Sequence, residues 1–138
     1  CVEIGIDEIT FLQCHNSERT KLNLERLKKI AESAVKQSLQ AFIPILNGIT
    51  KFSEALNIQS ENKLIAHCFD VNKSSLQKIN FKEKSTLIFV GPEGDFTKEE
   101  ITKAGENDFL SIDLGRNRLR TETAGLYVCQ GISLLSQL

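Results

Sequence analysis

The chain has 138 residues, 41% hydrophobic and 25% charged, which suits one ordinary globular domain able to bury a real core. Its formal net charge is −1, no apolar run reaches the ~18 residues of a membrane helix, and no leader with a basic start, apolar middle and small-residue end is visible. Cys1, Cys14, Cys68 and Cys129 form no CxxC pair, which argues against a zinc site or disulfide scaffold and for a reducing, cytoplasmic setting.

Asp7–Leu12 reads as a first strand after a break at Gly5. Asn23 then offers an N-cap, and Leu24, Leu27, Ile30, Ala31, Ala34, Val35 and Ser38 recur at helical spacing. Charged residues fill the outward positions, so this is a one-sided surface helix. Ala41–Leu46, interrupted by Pro44, reads as a second strand, Lys51–Leu56 as a helix, and Lys63–Phe69 as a third strand. Thr86–Val90 is largely apolar and is expected to be the most buried strand, covered on both faces. Thr97 and Glu100 form a capping box that opens a helix through Glu106. Ser111–Leu114 gives another strand, 115–121 a loop, and Glu122–Ser136 the last helix. Cys68 and Cys129 fall in apolar stretches and are expected to be buried free thiols. Alternating strands and helices define an α/β class with a mainly parallel sheet flanked by helices.

Ligands of such sheets sit beyond the carboxyl ends of the strands, and two loops there stand out. The first is Gly91-Pro92-Glu93-Gly94-Asp95-Phe96. Its glycines let backbone approach a ligand and its proline stiffens the turn, although the same residues also make a plain strand-to-helix turn. The second is Leu114-Gly115-Arg116-Asn117-Arg118-Leu119-Arg120-Thr121-Glu122-Thr123-Ala124. Thr121 suits an N-cap and Glu122 suits the positive helix start. The arginines could equally form a solvated basic patch, yet Leu119 suggests that the segment packs inward, where a buried or half-buried Arg120 needs a partner such as Glu122. Together the loops suggest a cofactor and anion site. Neither GxGxxG nor GxxxxGK[ST] nor GxSxG occurs, and His15 and His67 lack metal-ligand spacing.

The ordered pair Gly91-Pro92-Glu93-Gly94 and Leu114-Gly115…Leu119-Arg120-Thr121-Glu122-Thr123-Ala124 resembles the ribosomal RNA small-subunit methyltransferase E family, of the SPOUT class. Further matches are Glu3–Ile9, Ser17-Glu18-Arg19 and the helix around Ile30–Ser38, so the resemblance covers essentially the whole chain. It departs at Asp95, where the family usually has a second glycine, at Arg118, usually aliphatic, and at Asn117, where arginine is common.

The resemblance implies an α/β knot with a deep C-terminal trefoil, an S-adenosyl-L-methionine cofactor, and methylation of the N3 imide nitrogen of a uridine in small-subunit ribosomal RNA. It implies cofactor contacts from His67, Gly91, Pro92, Glu93, Gly94, Leu114, Gly115, Leu119, Thr121, Thr123 and Ala124. Arg120 becomes the candidate catalytic cation and Glu122 its orienter or proton relay, with no metal, the alternative being that the two form a pair that only stabilises the knot. It further implies a homodimer, and the stripe of Ala124, Val128, Gly131 and Leu135, with its small members, points to the C-terminal helix as the contact, packing against the first helix being the alternative. Residues 1–138 are then expected to be a single methyltransferase domain, without its first strand and a separate PUA-like RNA-binding domain. Two alternatives stay open: a SPOUT enzyme for transfer RNA or a ribose hydroxyl, and a catalytically silent RNA-binding module.

Overall fold

The computed structural model describes residues 1–18 and 21–137, so Arg19 lies outside the described residues. Its strands are β1 (Glu8–Gln13), β2 (Ile45–Lys51), β3 (Asn62–Ala66), β4 (Ser74–Ser75), β5 (Thr86–Val90) and β6 (Leu110–Asp113). Its helices are α1 (Leu24–Gln37), the single turn α2 (Phe52–Ala55), α3 (Lys98–Glu106) and α4 (Thr121–Leu135), with 3₁₀ turns at Val2–Ile4 and Leu76–Lys78. β1 pairs with β2, and a larger sheet runs β4-β6-β3-β5. Every pairing is parallel, as expected of an α/β chain. Parallel neighbours need crossover connections, and the consequence here is that β3, β5 and β6 all end on the same rim.

Period-two alternation builds the core on both faces of the larger sheet. Ile65 of β3, with Leu87 and Phe89 of β5, faces Phe52, Phe96, Ala104 and Phe109. Leu64 and Ala66, with Ile88 and Ile112, face Leu76, Phe81 and the α4 residues Ile132 and Leu135. The Phe89 and Phe109 rings lie 4.4 Å apart. The expectation that β5 is the most buried strand is corrected: β3 holds the centre and β5 an edge, with only Phe89 fully buried. The apolar run of β5 is covered on both faces even so, which is what its sequence registers; edge position depends on pairing that the run does not encode.

Local capping chemistry follows the sequence closely. Asn23 Oδ1 accepts from the Arg26 amide at 3.0 Å to open α1, and Ala31 and Val35 form its buried stripe, although Ile30 is exposed. Thr97 and Glu100 exchange both bonds of a capping box. The second oxygen of the buried Glu100 also accepts from the His15 amide at 2.8 Å, tying the end of β1 to the start of α3. Burial, reinforced by the Glu100 charge, pushes the neighbouring Cys14 thiol up to about 12.

Two boundaries move. β2 begins after Pro44, not at Ala41, because proline brings no N–H to a ladder. β3 ends at Ala66, so His67 and Cys68 belong to the loop beyond it. The expectation of buried thiols is therefore corrected: Cys68 is exposed, Cys129 half-buried and Cys14 buried. No helix of the described residues is long and apolar enough to cross a membrane.

Candidate active site

β5 delivers the chain into the first loop with Gly91 buried. A Cβ there would stand 3.1 Å from Asp95 Oδ1 and 3.2 Å from the Phe96 ring, so a side chain would fit only if Asp95 and Phe96 gave way. Asp95 adopts the left-handed φ of 60°, a conformation Asp tolerates better than most residues. Its Oδ1 accepts from the Phe96 amide and its Oδ2 from the Cys68 amide, each at 2.8 Å. Gly94 faces away from the cavity: its Cβ would meet Asn16 at 2.9 Å. Asn16 Nδ2 donates to the Gly94 and Asp95 carbonyls at 3.1 and 3.0 Å, holding the loop from behind.

β6 delivers the second loop. Gly115 has φ 111°, a backbone state that side chains rarely adopt. Arg116, Asn117, Arg118 and Arg120 are exposed and Leu119 is half-buried. Arg120 is the N-cap residue of α4 without a side-chain cap bond. Thr121 is the first helical residue, and its hydroxyl donates to the Gly91 carbonyl at 2.8 Å. That bond closes the two loops on each other.

Between them, at the ends of β3, β5 and β6, lies a cavity of about 890 Å³. Its wall includes the candidates His67, Gly91, Pro92, Glu93, Leu114 and Gly115. Leu119, Arg120, Thr121 and Ala124 complete that side. Gly94, Glu122 and Thr123 do not reach the wall. The expected Arg120–Glu122 pair is corrected: both side chains are exposed, and no ion pair joins them among the described residues. Their solvation removes the need for a buried partner. A smaller hollow of about 280 Å³ beside Gly5 and Phe42 contains one charged side chain, Asp7.

His67 is 8% exposed. Its Nε2 is 3.0 Å from Ser111 Oγ, while its buried Nδ1 has no partner. Burial, with help from the Lys73 charge and against that of Asp95, lowers its pKa below 6.5. The ring is therefore neutral near pH 7 and available as a dipole rather than a cation. Among the described residues, no group of three His, Cys, Asp or Glu is placed to hold a metal.

The wall also holds Cys68, Lys73, Asp95, Arg116 and Arg118, to which sequence reasoning gave no role. Lys73 precedes the two-residue β4, an element too short to leave a hydropathy pattern. Its Nζ donates to the His67 carbonyl at 3.0 Å. Asn16 carries no local signal at all, because its partners are 78 and 79 residues away.

Parallel strands, a cleft at their carboxyl ends, and a backbone-rich wall with arginines at one side define a class of nucleotide-like ligand site on an α/β domain. Residues 1–133 match the sequence model of the RNA methyltransferase domain, and the chain belongs to that family. It is 34% identical to the ribosomal RNA small subunit methyltransferase E of Mesomycoplasma hyopneumoniae, over 92% of this chain and 58% of that protein. It is 31% identical to the protein of the same name from Bacillus subtilis, over 89% of this chain and 51% of the relative. A crystal structure of a probable rRNA-methyltransferase from Porphyromonas gingivalis superposes with a TM-score of 0.94 at 37% identity, covering 99% of this chain and 59% of that one. A ribosomal RNA small subunit methyltransferase E from Neisseria gonorrhoeae, bound to S-adenosyl methionine, superposes at 0.84 with 34% identity, covering 97% and 57%. The chain thus spans little more than half the length of these relatives.

Proposed function

We propose that this chain is the methyl-transferring part of an S-adenosyl-L-methionine-dependent enzyme that methylates the uracil N3 of a uridine in small-subunit ribosomal RNA. The observation that carries this reading is the closed pair of loops around one cavity, in a chain matching the RNA methyltransferase domain over residues 1–133. The site suits the cofactor. About 890 Å³ accommodates a molecule of that size, and Gly91, Leu114, Gly115 and Leu119 bring backbone and aliphatic surface suited to an adenine. When bound, the cofactor supplies an electrophilic methyl group on sulfur.

The remaining work falls to positioning and charge. The imide nitrogen of uracil becomes nucleophilic only as its proton leaves, and negative charge then spreads to the flanking carbonyls. Arg120, on the cavity wall and free of an ion-pair partner among the described residues, is the cation for that charge. Glu122, in the first turn of α4 and exposed, approaches the uracil or its proton only when RNA is bound. Thr123 and Gly94 support the wall from outside it. Knot threading, cytoplasmic location and a homodimer through α4 belong to the same reading. With net charge −1, these 138 residues hold RNA weakly, and most phosphate contacts come from sequence outside them.

The test is chemical. Deleting the gene and digesting small-subunit ribosomal RNA to nucleosides should remove 3-methyluridine, restored by wild type. An Arg120→Lys protein, which keeps charge but loses the planar fork, should bind cofactor and restore little. Loss of a ribose-methylated nucleoside, or of a transfer RNA modification alone, rejects the proposed substrate. Failure of calorimetry to detect S-adenosylmethionine binding would favour the silent RNA-binding alternative.

A further inference from the structure

Two charged side chains grip a single peptide group at the cavity wall. The N–H of the His67–Cys68 peptide donates to Asp95 Oδ2 at 2.8 Å, and its carbonyl accepts from Lys73 Nζ at 3.0 Å. These two atoms of a trans peptide point to opposite edges of its plane. A carboxylate and an ammonium therefore stand astride one peptide, separated by no more than about 8 Å given standard bond lengths. Both line the cavity, as does Arg118. Burial, then the Asp95 charge, pushes the Cys68 thiol up, and Arg118 and Lys73 pull it down, so all three charges act on one spot.

Neither charge is spent on the other. No ion pair joins Asp95 to Lys73 or Arg118 among the described residues. Asp95 is held in place by two amides and a left-handed backbone, which fixes the direction of its remaining lone pairs. Lys73 Nζ keeps two donors beyond the one given to His67. An amino-acid head group carries an ammonium and a carboxylate about 3 Å apart. Two charge-assisted bonds of about 2.8 Å each, added to that separation, reach at most about 9 Å when collinear and less when bent. A head group with bent bonds fits within a gap of that upper limit, and the order of charge matches.

We propose that Asp95 and Lys73 form the clasp for the zwitterionic amino-acid end of the cofactor, Asp95 taking its α-ammonium and Lys73, with Arg118 beside it, its α-carboxylate. This rests on the cleft being the S-adenosylmethionine site. The unclaimed charges flank the His67–Cys68 peptide, so the methionyl end is assigned to that part of the wall.

Ligand dissection separates the clasp from the site as a whole. Calorimetry of the 138-residue chain would compare S-adenosylmethionine, its decarboxylated analogue, and 5′-methylthioadenosine, which lacks the head group. Asp95→Asn keeps size, tolerates the left-handed φ and retains one of the two amide bonds; Lys73→Gln keeps a donor. Each should weaken S-adenosylmethionine binding about tenfold, the scale of one lost charge-assisted bond, and leave 5′-methylthioadenosine within about twofold. For the decarboxylated analogue, Asp95→Asn should still cost about tenfold and Lys73→Gln almost nothing. Equal losses for S-adenosylmethionine and 5′-methylthioadenosine would reduce both residues to wall structure and overturn the clasp, as would no loss for either. A wild-type chain that binds none of the three ligands overturns the cleft assignment itself.

Discussion

Thr121 Oγ1 donates a 2.8 Å hydrogen bond to the Gly91 carbonyl across 30 residues of chain. Through this bond the loop after β6 is fastened to the loop after β5, and the first turn of α4 becomes part of the cavity wall. The acceptor residue is buried, so losing the donor leaves a carbonyl without a partner. Such a loss costs about 1–3 kcal/mol.

Thr121→Val keeps shape and removes the donor. It should lower the melting temperature by a few degrees, roughly what 1 kcal/mol does in a domain of this size. Cofactor affinity should fall with it, and Thr121→Ser should recover both. A valine variant that matches wild type in melting and titration would make the bond incidental.

Gly115 and Gly91 are glycines for different reasons, and their alanine variants should show it. At Gly115 nothing lies within 4 Å of an added Cβ, and only the φ of 111° opposes a side chain. Gly115→Ala should therefore cost more than about 1 kcal/mol in urea unfolding with no clash to relieve. At Gly91 the added atom meets Asp95 and Phe96. A Phe96→Leu change should partly rescue Gly91→Ala and leave Gly115→Ala unimproved. Equal response of both to Phe96→Leu would contradict the distinction.

Much of this architecture was legible in the sequence because its causes are local. Asn23, Thr97 and Glu100 act within one helical turn, and strand alternation at β3 and β5 is a matter of neighbours. The Gly91–Gly94 and Leu114–Ala124 loops stood out for the same reason. What the sequence hid is long-range. Nothing near Gly94 indicates that its missing Cβ makes room for Asn16 rather than a ligand. Nothing near Lys73 or Asp95 indicates that they meet at one peptide. Arg120 and Glu122 looked like partners because Leu119 suggested a segment packed inward, yet both side chains are exposed to solvent.

His67 gives the cavity a pH dependence of definite sign. Burial lowers its pKa in the folded chain below the ordinary value of 6.5, so the unfolded chain binds more protons between the two values. Stability from this group is complete above pH 6.5 and is lost as pH falls through that window. Urea midpoints measured from pH 7.5 down to 5, as roughly spans a histidine titration, should decline. His67→Gln should flatten the part of that decline owed to His67. A midpoint profile identical in the two proteins would mean that His67 is not held neutral by the fold.

The apolar stripe of α4 divides into an inner and an outer set, which changes how self-association must be tested. Ala124 and Val128 are buried within this chain, and Leu135 packs against the sheet. A Cβ on Gly131 would stand 3.1 Å from Leu76 Cδ1, so that glycine serves contact with its own chain. The expectation that Ala124, Val128, Gly131 and Leu135 face a partner is therefore corrected. What α4 leaves open is Leu126 at 48%, Tyr127 at 49% and Leu134 at 56% exposure. Leu126 and Leu134 are two helical turns apart, with Tyr127 beside them, so they share one outward face. If α4 joins two copies, this outer face carries the contact. Leu126→Glu should then convert a dimer to a monomer at micromolar concentration with little change in unfolding of the isolated chain. Gly131→Glu should instead lower stability in monomer and dimer alike, because it strikes Leu76. Sedimentation velocity with parallel urea titrations distinguishes them. Persistence of the dimer in Leu126→Glu, or a wild-type chain that is monomeric at every concentration tested, would remove α4 as the interface.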